Sequence, residues 1–490
     1  MAVSLQIKNQ HLLSRAGFGI SATNISSIKT TKPKDLFQTL VRDSAQPVQA
    51  IDVAHQRLKD ILAGVESATM MDVLKKTEPD NDTKKFIREQ SREDLKTLNI
   101  KWLDEMVNSK AVLREKMSLF WHGHFACRDV NIIFQQNLLH AIRKNALGNF
   151  KDLLIAVSKS ASMLGFLNNQ QNRKRKPNEN FAREVLELFT MGRGNYTEQD
   201  IKEAARAFTG WGFNKKGEFE FRQFIHDDGE KTFLGQTGKF TGDDILNIIL
   251  QQKQTAVFIA QKIYKFFVNE VVDSKNVDWL AARFYKNNYD ISALLKDIFT
   301  SDWFYAEKNI SSKIKSPIEL IVGIRKIFNL QIDQPQTQLI IQRALGQVLF
   351  YPPNVAGWPG GTNWIDSSTL MFRLQLPRLI KDDETINIST KSDDDVQMGM
   401  KEEKIKKVLK NFANRGFKIN TTINWENFML PFANVKREDL LPILKQTILP
   451  IAGEKIKNEV VEKEADKSSR EAYIKTVAVA LMSTPEYQLC

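Results

Sequence analysis

The sequence predicts a mainly α, multi-helical globular body with a short β-hairpin near 211-225 and long ordered loops. Apolar residues recur at the 3.6-residue spacing of helices, and start and stop signals bracket those runs. The 42% hydrophobic and 26% charged composition is that of a folded chain. At 490 residues the chain exceeds one ordinary core. The expected organisation is a main helical body over 1-380 with a charged insertion about 65-96, a charged linker over 381-407, and a C-terminal helical section, 408-490, packing back on the body.

In Glu179 to Met191 the residues Phe181, Val185, Leu186, Leu188 and Phe189 form one broad apolar helical face. Asn178 after Pro177 is the expected N-cap, and Gly192 or Gly194 the stop. Thr197 and Asp200 have capping-box spacing, with Tyr196 and Ile201 placed as a hydrophobic staple, so the next helix runs to about Thr209. Trp211 to Gly217 followed by alternating Glu218 to Arg222 reads as a hairpin turning near Asn214 to Gly217. Helices resume at Asp243 to Leu246, Ala256 to Phe267, Ile291 to Phe299 and Pro317 to Leu330. Phe350 to Trp364 is rich in proline, glycine and aromatic residues, which predicts an ordered loop packed on the body. Charged stretches near 65-96, 382-407 and 455-470 read as exposed insertions.

The formal net charge is +12 with a sequence pI near 9.3. That balance invites a polyanionic ligand, but only Arg173-Lys174-Arg175-Lys176 is a compact basic run, and no helix-turn-helix, zinc-finger or ribonucleoprotein motif accompanies it. Nucleic acid is therefore disfavoured as a partner. Two cysteines, Cys127 and Cys490, exclude a disulfide framework or a four-thiolate zinc site. Met1 to Gly19 has no apolar stretch of signal-peptide length, and no run of about 18 apolar residues signals a transmembrane segment. As written, the chain is expected in the cytoplasm.

Several blocks together resemble the bacterial family known as domain of unknown function 1800. They are His11 to Gly19, Phe120-Trp121-His122-Gly123-His124-Phe125, Pro177 to Glu187, Ala204 to Trp211, His226-Asp227, Lys231 to Gly235 and Pro352 to Trp358, with a weaker echo in Ser483 to Tyr487. The resemblance implies no particular activity. It implies a sulfatase- or phosphatase-like protein partner, since relatives are often encoded beside such proteins, and an exported location for many relatives, which keeps a secreted or periplasmic location open.

Positions 180, 184 and 187 lie within about 60° on a helix, so Asn180, Glu184 and Glu187 share one stripe. Glu179 and Arg183, four apart, occupy the next and can pair. Carboxylates on a rigid helix can act as acid and base or bind a divalent metal. The structural alternative is an Arg-carboxylate network fastening two helices. His122 and His124 become metal-ligand candidates if the helix from about Ala111 ends or bends at Gly123, because only then do both imidazoles converge. Otherwise they are core histidines. His226 is a candidate general base or ligand with Asp227 fixing its tautomer, or the pair is a capped turn. His11 and Arg15, at i and i+4, are candidates for an anionic substrate, as are Asn178, Asn180 and Arg183. Trp358, with Trp364, Trp211 and Tyr351, is a candidate carbohydrate-stacking surface or simply packs its loop.

The expectation is a hydrolase or transferase on an anionic or glycan-like substrate. Its polar, divalent-metal-bearing centre would be built from Glu179, Glu184, His122, His124, His226 and Asp227. The competing expectation is a non-enzymatic binding or assembly protein. Convergence of the histidines with a glutamate of the polar helix separates the two.

Overall fold

The computed structural model describes residues 3–64, 81–382, 385–386, 417–449 and 456–490. The first helix, α1 (Leu5–Ala16), starts where the Ser4 hydroxyl accepts the Ile7 N–H, and it buries Leu12, Leu13 and Ala16 together with His11 and Arg15. Helix α2 (Asn81–Asn108) buries Leu95, Leu98, Trp102, Leu103 and Met106, whose three- and four-residue spacing makes one inward stripe. Helix α3 (Val112–His124) is buried along nearly its whole length.

The polar segment starts at α4 (Glu179–Glu184), capped by Asn178 as its sequence indicates. It does not continue as one α-helix. Val185–Thr190 forms a π-helical turn, in which the Thr190 hydroxyl donates to the Val185 carbonyl at 2.6 Å. Helix α5 (Glu198–Ala207) has its Thr197/Asp200 capping box. The hairpin pairs β1 (Trp211–Phe213) with β2 (Phe219–Phe221) in antiparallel register, and Gly217 N–H closes its turn on the Asn214 carbonyl. A second small hairpin pairs β3 (Lys231–Phe233) with β4 (Gln236–Gly238).

Helix α6 (Lys253–Phe267) precedes α7 (Pro317–Ile327). The latter has proline in its first turn and a Ser316/Glu319 capping box, and it ends before the expected Leu330. Leu330 instead opens β5 (Leu330–Ile332), which pairs antiparallel with β6 (Thr421–Ile423) from the C-terminal section. Helices α8 (Ser367–Asp382), α9 (Leu440–Ile448) and α10 (Arg470–Met482) pack together. One apolar cluster runs from Leu12 to Tyr487. The amides of Gln6 and Gln10 donate to the Gln446 carbonyl, and Cys490 N–H donates to the Lys313 carbonyl at 2.8 Å. These bonds tie the C-terminal section to the body.

Two of the stretches read as exposed insertions are partly packed. Residues 81–96 belong to α2 and bury Ser91, Asp94 and Leu95, while 65–80 lie outside the described residues. The stretch near 455-470 buries Ile456 and Val461. Most of 382–407 lies outside the described residues. Among the described residues no helix is long and apolar enough to cross a membrane.

Candidate functional site

A cleft of about 310 Å³ opens between the last turn of α3, helix α6, the start of α7 and the Pro/Gly loop after Tyr351. Its walls carry three lysines, Lys262, Lys265 and Lys313, and two tryptophans, Trp358 and Trp364. Gly123 also lines it, and a Cβ built there meets nothing within 4 Å, so a side chain at 123 would project into open cleft.

Helix α3 continues through Gly123 to His124, which corrects the expected break. Its i and i+2 side chains therefore point about 200° apart, and the two histidines serve different neighbours. Burial drives His124 well below the ordinary histidine range, and the Lys262 charge adds to this. The neutral ring then fixes its own proton. Nε2–H donates to the Phe189 carbonyl at 3.0 Å, and Nδ1 accepts from Lys262 Nζ at 3.3 Å. Lys262 also donates to the Leu188 carbonyl at 3.1 Å. The two groups thus take carbonyls that the π-turn presents at the end of the polar segment, where the dipole favours donors and cations.

His122 points the other way, among the rings of Trp102, Phe350 and Trp358. Its Nε2 accepts the Phe350 N–H at 3.1 Å, and burial lowers it to about 3. Phe350 has φ 69, a left-handed conformation uncommon for a bulky side chain, and the imidazole helps hold it there. Seven residues on, Gly357 (φ 82) lies so close to the Gly123 carbonyl that a Cβ would overlap it. The His-Gly-His block and the Pro/Gly loop are therefore two halves of one close packing. Neither histidine is free for a shared metal, and among the described residues no group of three His, Cys, Asp or Glu side chains is placed to hold one.

Beneath the cleft lies a buried charge cluster. Glu319 pairs with Lys116 and accepts the Ser316 N–H at 2.7 Å. Burial pushes its carboxyl up, but Lys116, Lys313 and the Ser316 amide outweigh that and hold it at about 2. Lys313 donates to the Lys265 and Phe266 carbonyls, which end α6. Burial, assisted by neighbouring cations, lowers both Lys262 and Lys313 to about 8.

The remaining candidates are placed elsewhere. Arg183 donates to both oxygens of Glu198 at 3.0 and 2.8 Å and to Glu179 at 3.2 Å, fastening α4 to α5. Asn178 and Asn180 donate to the carbonyls of Asn168 and Leu167. Glu184 is half-buried, raised by burial and by the charge of Glu187. His226 Nδ1 donates to the Thr209 carbonyl at 2.8 Å, whereas Asp227 binds Arg206 in two-pronged fashion at 2.8 and 3.2 Å, so Asp227 does not orient the imidazole. His11 is buried against Phe304, and Arg15 donates to the Asn309 carbonyl and the Ser312 hydroxyl. Of the expected site residues, His124 and Trp358 line the cleft, with His122 behind Trp358. Lys262, Lys265, Lys313 and Glu319 were not anticipated. Their one local signal is the Ser316-x-x-Glu319 capping pattern, which says nothing of a cleft.

Three of the four buried histidines give an acid signature. The folded values of His11, His122 and His124 lie below the ordinary 6.5, so unfolding takes up protons as pH falls. Their contribution is complete above about pH 6.5 and is lost progressively as pH falls below it, for His122 down to about pH 3. Urea unfolding should therefore show a lower midpoint at pH 5 than at pH 7, and equal midpoints would contradict neutral, buried imidazoles.

The fold and cleft define a mainly α protein with an aromatic, lysine-lined cavity. The family model described as "Protein of unknown function (DUF1800)" matches residues 11–489, and the chain belongs to that family. No curated protein and no solved structure matches it.

Proposed function

We propose that the chain binds an anionic, glycan-like ligand in the cleft, with a sugar ring against Trp358 and Trp364 and the anionic group meeting Lys262, Lys265 and Lys313. The supporting observation is the charge balance of the lining, three lysines against one carboxylate, Glu319, already neutralised by Lys116. Lysines that burial has brought down to about 8 regain favourable charge when an anion replaces lost water. Such recognition suits an assembly role beside a sulfatase- or phosphatase-like partner, whose substrates carry the same oxyanion chemistry.

A catalytic reading, hydrolysis or group transfer, has one observation in its favour. Burial lowers the Lys262 amine to about 8, so part of it is neutral near neutral pH and can act as a base or nucleophile. Glu179 and Glu184 do not line the cleft, so a two-carboxylate mechanism finds no support there. Binding is the better-supported reading.

Calorimetry with glucuronate, a sulfated galactose and neutral glucose tests it. The two anionic sugars should bind and glucose should not, with affinity falling above about pH 8 as Lys262 and Lys313 lose their protons. Gly123→Leu fills the cleft from a helical position, so it should weaken binding about tenfold or more, on the order of 1.4 kcal/mol. Its melting temperature should hold, because leucine has the better helix propensity. Unchanged affinity in Gly123→Leu, or glucose binding as tightly as its charged analogues, would refute the proposal.

A further inference from the structure

The basic run Arg173-Lys174-Arg175-Lys176 takes no part in the cleft, yet it is an ordered feature. Lys176 N–H closes a turn on the Arg173 carbonyl at 2.8 Å, and the two residues form an isolated β-bridge. Lys174 N–H donates to the Ile225 carbonyl at 2.9 Å, which stitches the turn to the short helical turn Gln223–Ile225. All four cations are exposed, and none has a carboxylate partner among the described residues. Acidic groups on the adjoining segments are engaged, Glu220 with Arg222, Asp228 with the Gln223 amide and Glu179 with Arg183.

The segment stitched to this turn exposes aromatic side chains. Phe224 is 75% exposed and Phe221 41% exposed, the latter with its ring beside His226 at 5.0 Å. A solubilising charge run needs no such neighbours, and it is their adjacency to the cation cluster that makes the exposed rings informative. Four cations and two projecting apolar rings are the two components of interfacial binding. The cations are drawn to anionic headgroups, and the rings enter the headgroup–acyl boundary. A polyanion such as single-stranded nucleic acid would use the cations too. The rings, however, sit close together in the chain, Phe224 within the short helical turn and Phe221 at the end of β2, which suits insertion better than successive base stacking.

We propose that the Arg173–Lys176 turn and the Phe221–Phe224 segment form a docking surface for an anionic lipid bilayer. It is independent of the cleft, and it gives the exposed rings and the unpaired cations one common use.

Co-sedimentation of the full chain with phosphatidylcholine vesicles, with and without phosphatidylserine, is the test. Binding should require phosphatidylserine and weaken with added salt. Each cation contributes on the order of fivefold at an anionic surface, so the double variant Arg173→Glu, Arg175→Glu should lose at least about 25-fold. Phe224→Ser should also weaken binding while the salt dependence persists. Because these side chains are exposed, both variants should melt as the wild-type chain does, which separates lost docking from lost fold. Failure to bind phosphatidylserine vesicles, equal binding to neutral vesicles, or binding indifferent to both variants would overturn the proposal. So would a single-stranded oligonucleotide that binds while the vesicles do not.

Discussion

Glu319→Ala should destabilise the fold by about 3–5 kcal/mol, the range for removing one partner of a buried ion pair. The variant leaves Lys116 buried without its carboxylate partner, with Lys313 and Arg15 close enough to feel the same charge. It also removes the acceptor for the Ser316 N–H at the start of α7. Chemical unfolding measures the loss. Glu319→Gln, which keeps an acceptor but no charge, should fall between the wild-type chain and Glu319→Ala. If Glu319→Ala does not fold, the pair Glu319→Gln, Lys116→Met supplies the comparison, since removing both charges should recover part of the loss. A loss below about 1 kcal/mol would mean the cluster does not depend on this carboxylate. The pH dependence has a definite sign. A folded value of about 2 lies below the ordinary 4.5, so the contribution is present above about pH 4.5 and disappears as pH falls through about 2.

Gly357→Ala should cost roughly 2–4 kcal/mol, combining left-handed backbone strain with steric overlap. At φ 82 a Cβ runs into the Gly123 carbonyl, and that backbone belongs to a buried helix that cannot give way cheaply. Gly346 is the matched control. Its φ is 85, but nothing lies within 4 Å of a Cβ there, so Gly346→Ala should show strain alone, about 1 kcal/mol. Thermal melts of the two variants separate the effects. Equal losses would mean the loop does not press on α3 as described.

The helices were legible because their signals are local. Thr197 and Asp200 are three residues apart, and the Asn214 to Gly217 turn closes on itself. Gly123 misled for a physical reason. Glycine is a poor helix former, but this helix is held by burial on nearly every side, and the missing Cβ leaves room for the cleft. The π-turn was invisible because a periodicity argument assumes 3.6 residues per turn. Arg183, Glu179 and Glu198 show why residue type alone does not name a site, since the same groups that could do acid–base work here clamp two helices. Lys262 lies 138 residues from His124, and only the folded chain brings an amine to that imidazole.

Phe350 also bears on how a ligand would be received. Its backbone is locked by a neutral imidazole, prolines follow at 352, 353 and 359, and Gly357 is wedged against α3. The tryptophan-bearing wall has few alternative conformations to surrender when it is occupied. Association then carries a small ordering entropy for the protein, and differences in affinity among ligands should appear mainly as differences in residence time.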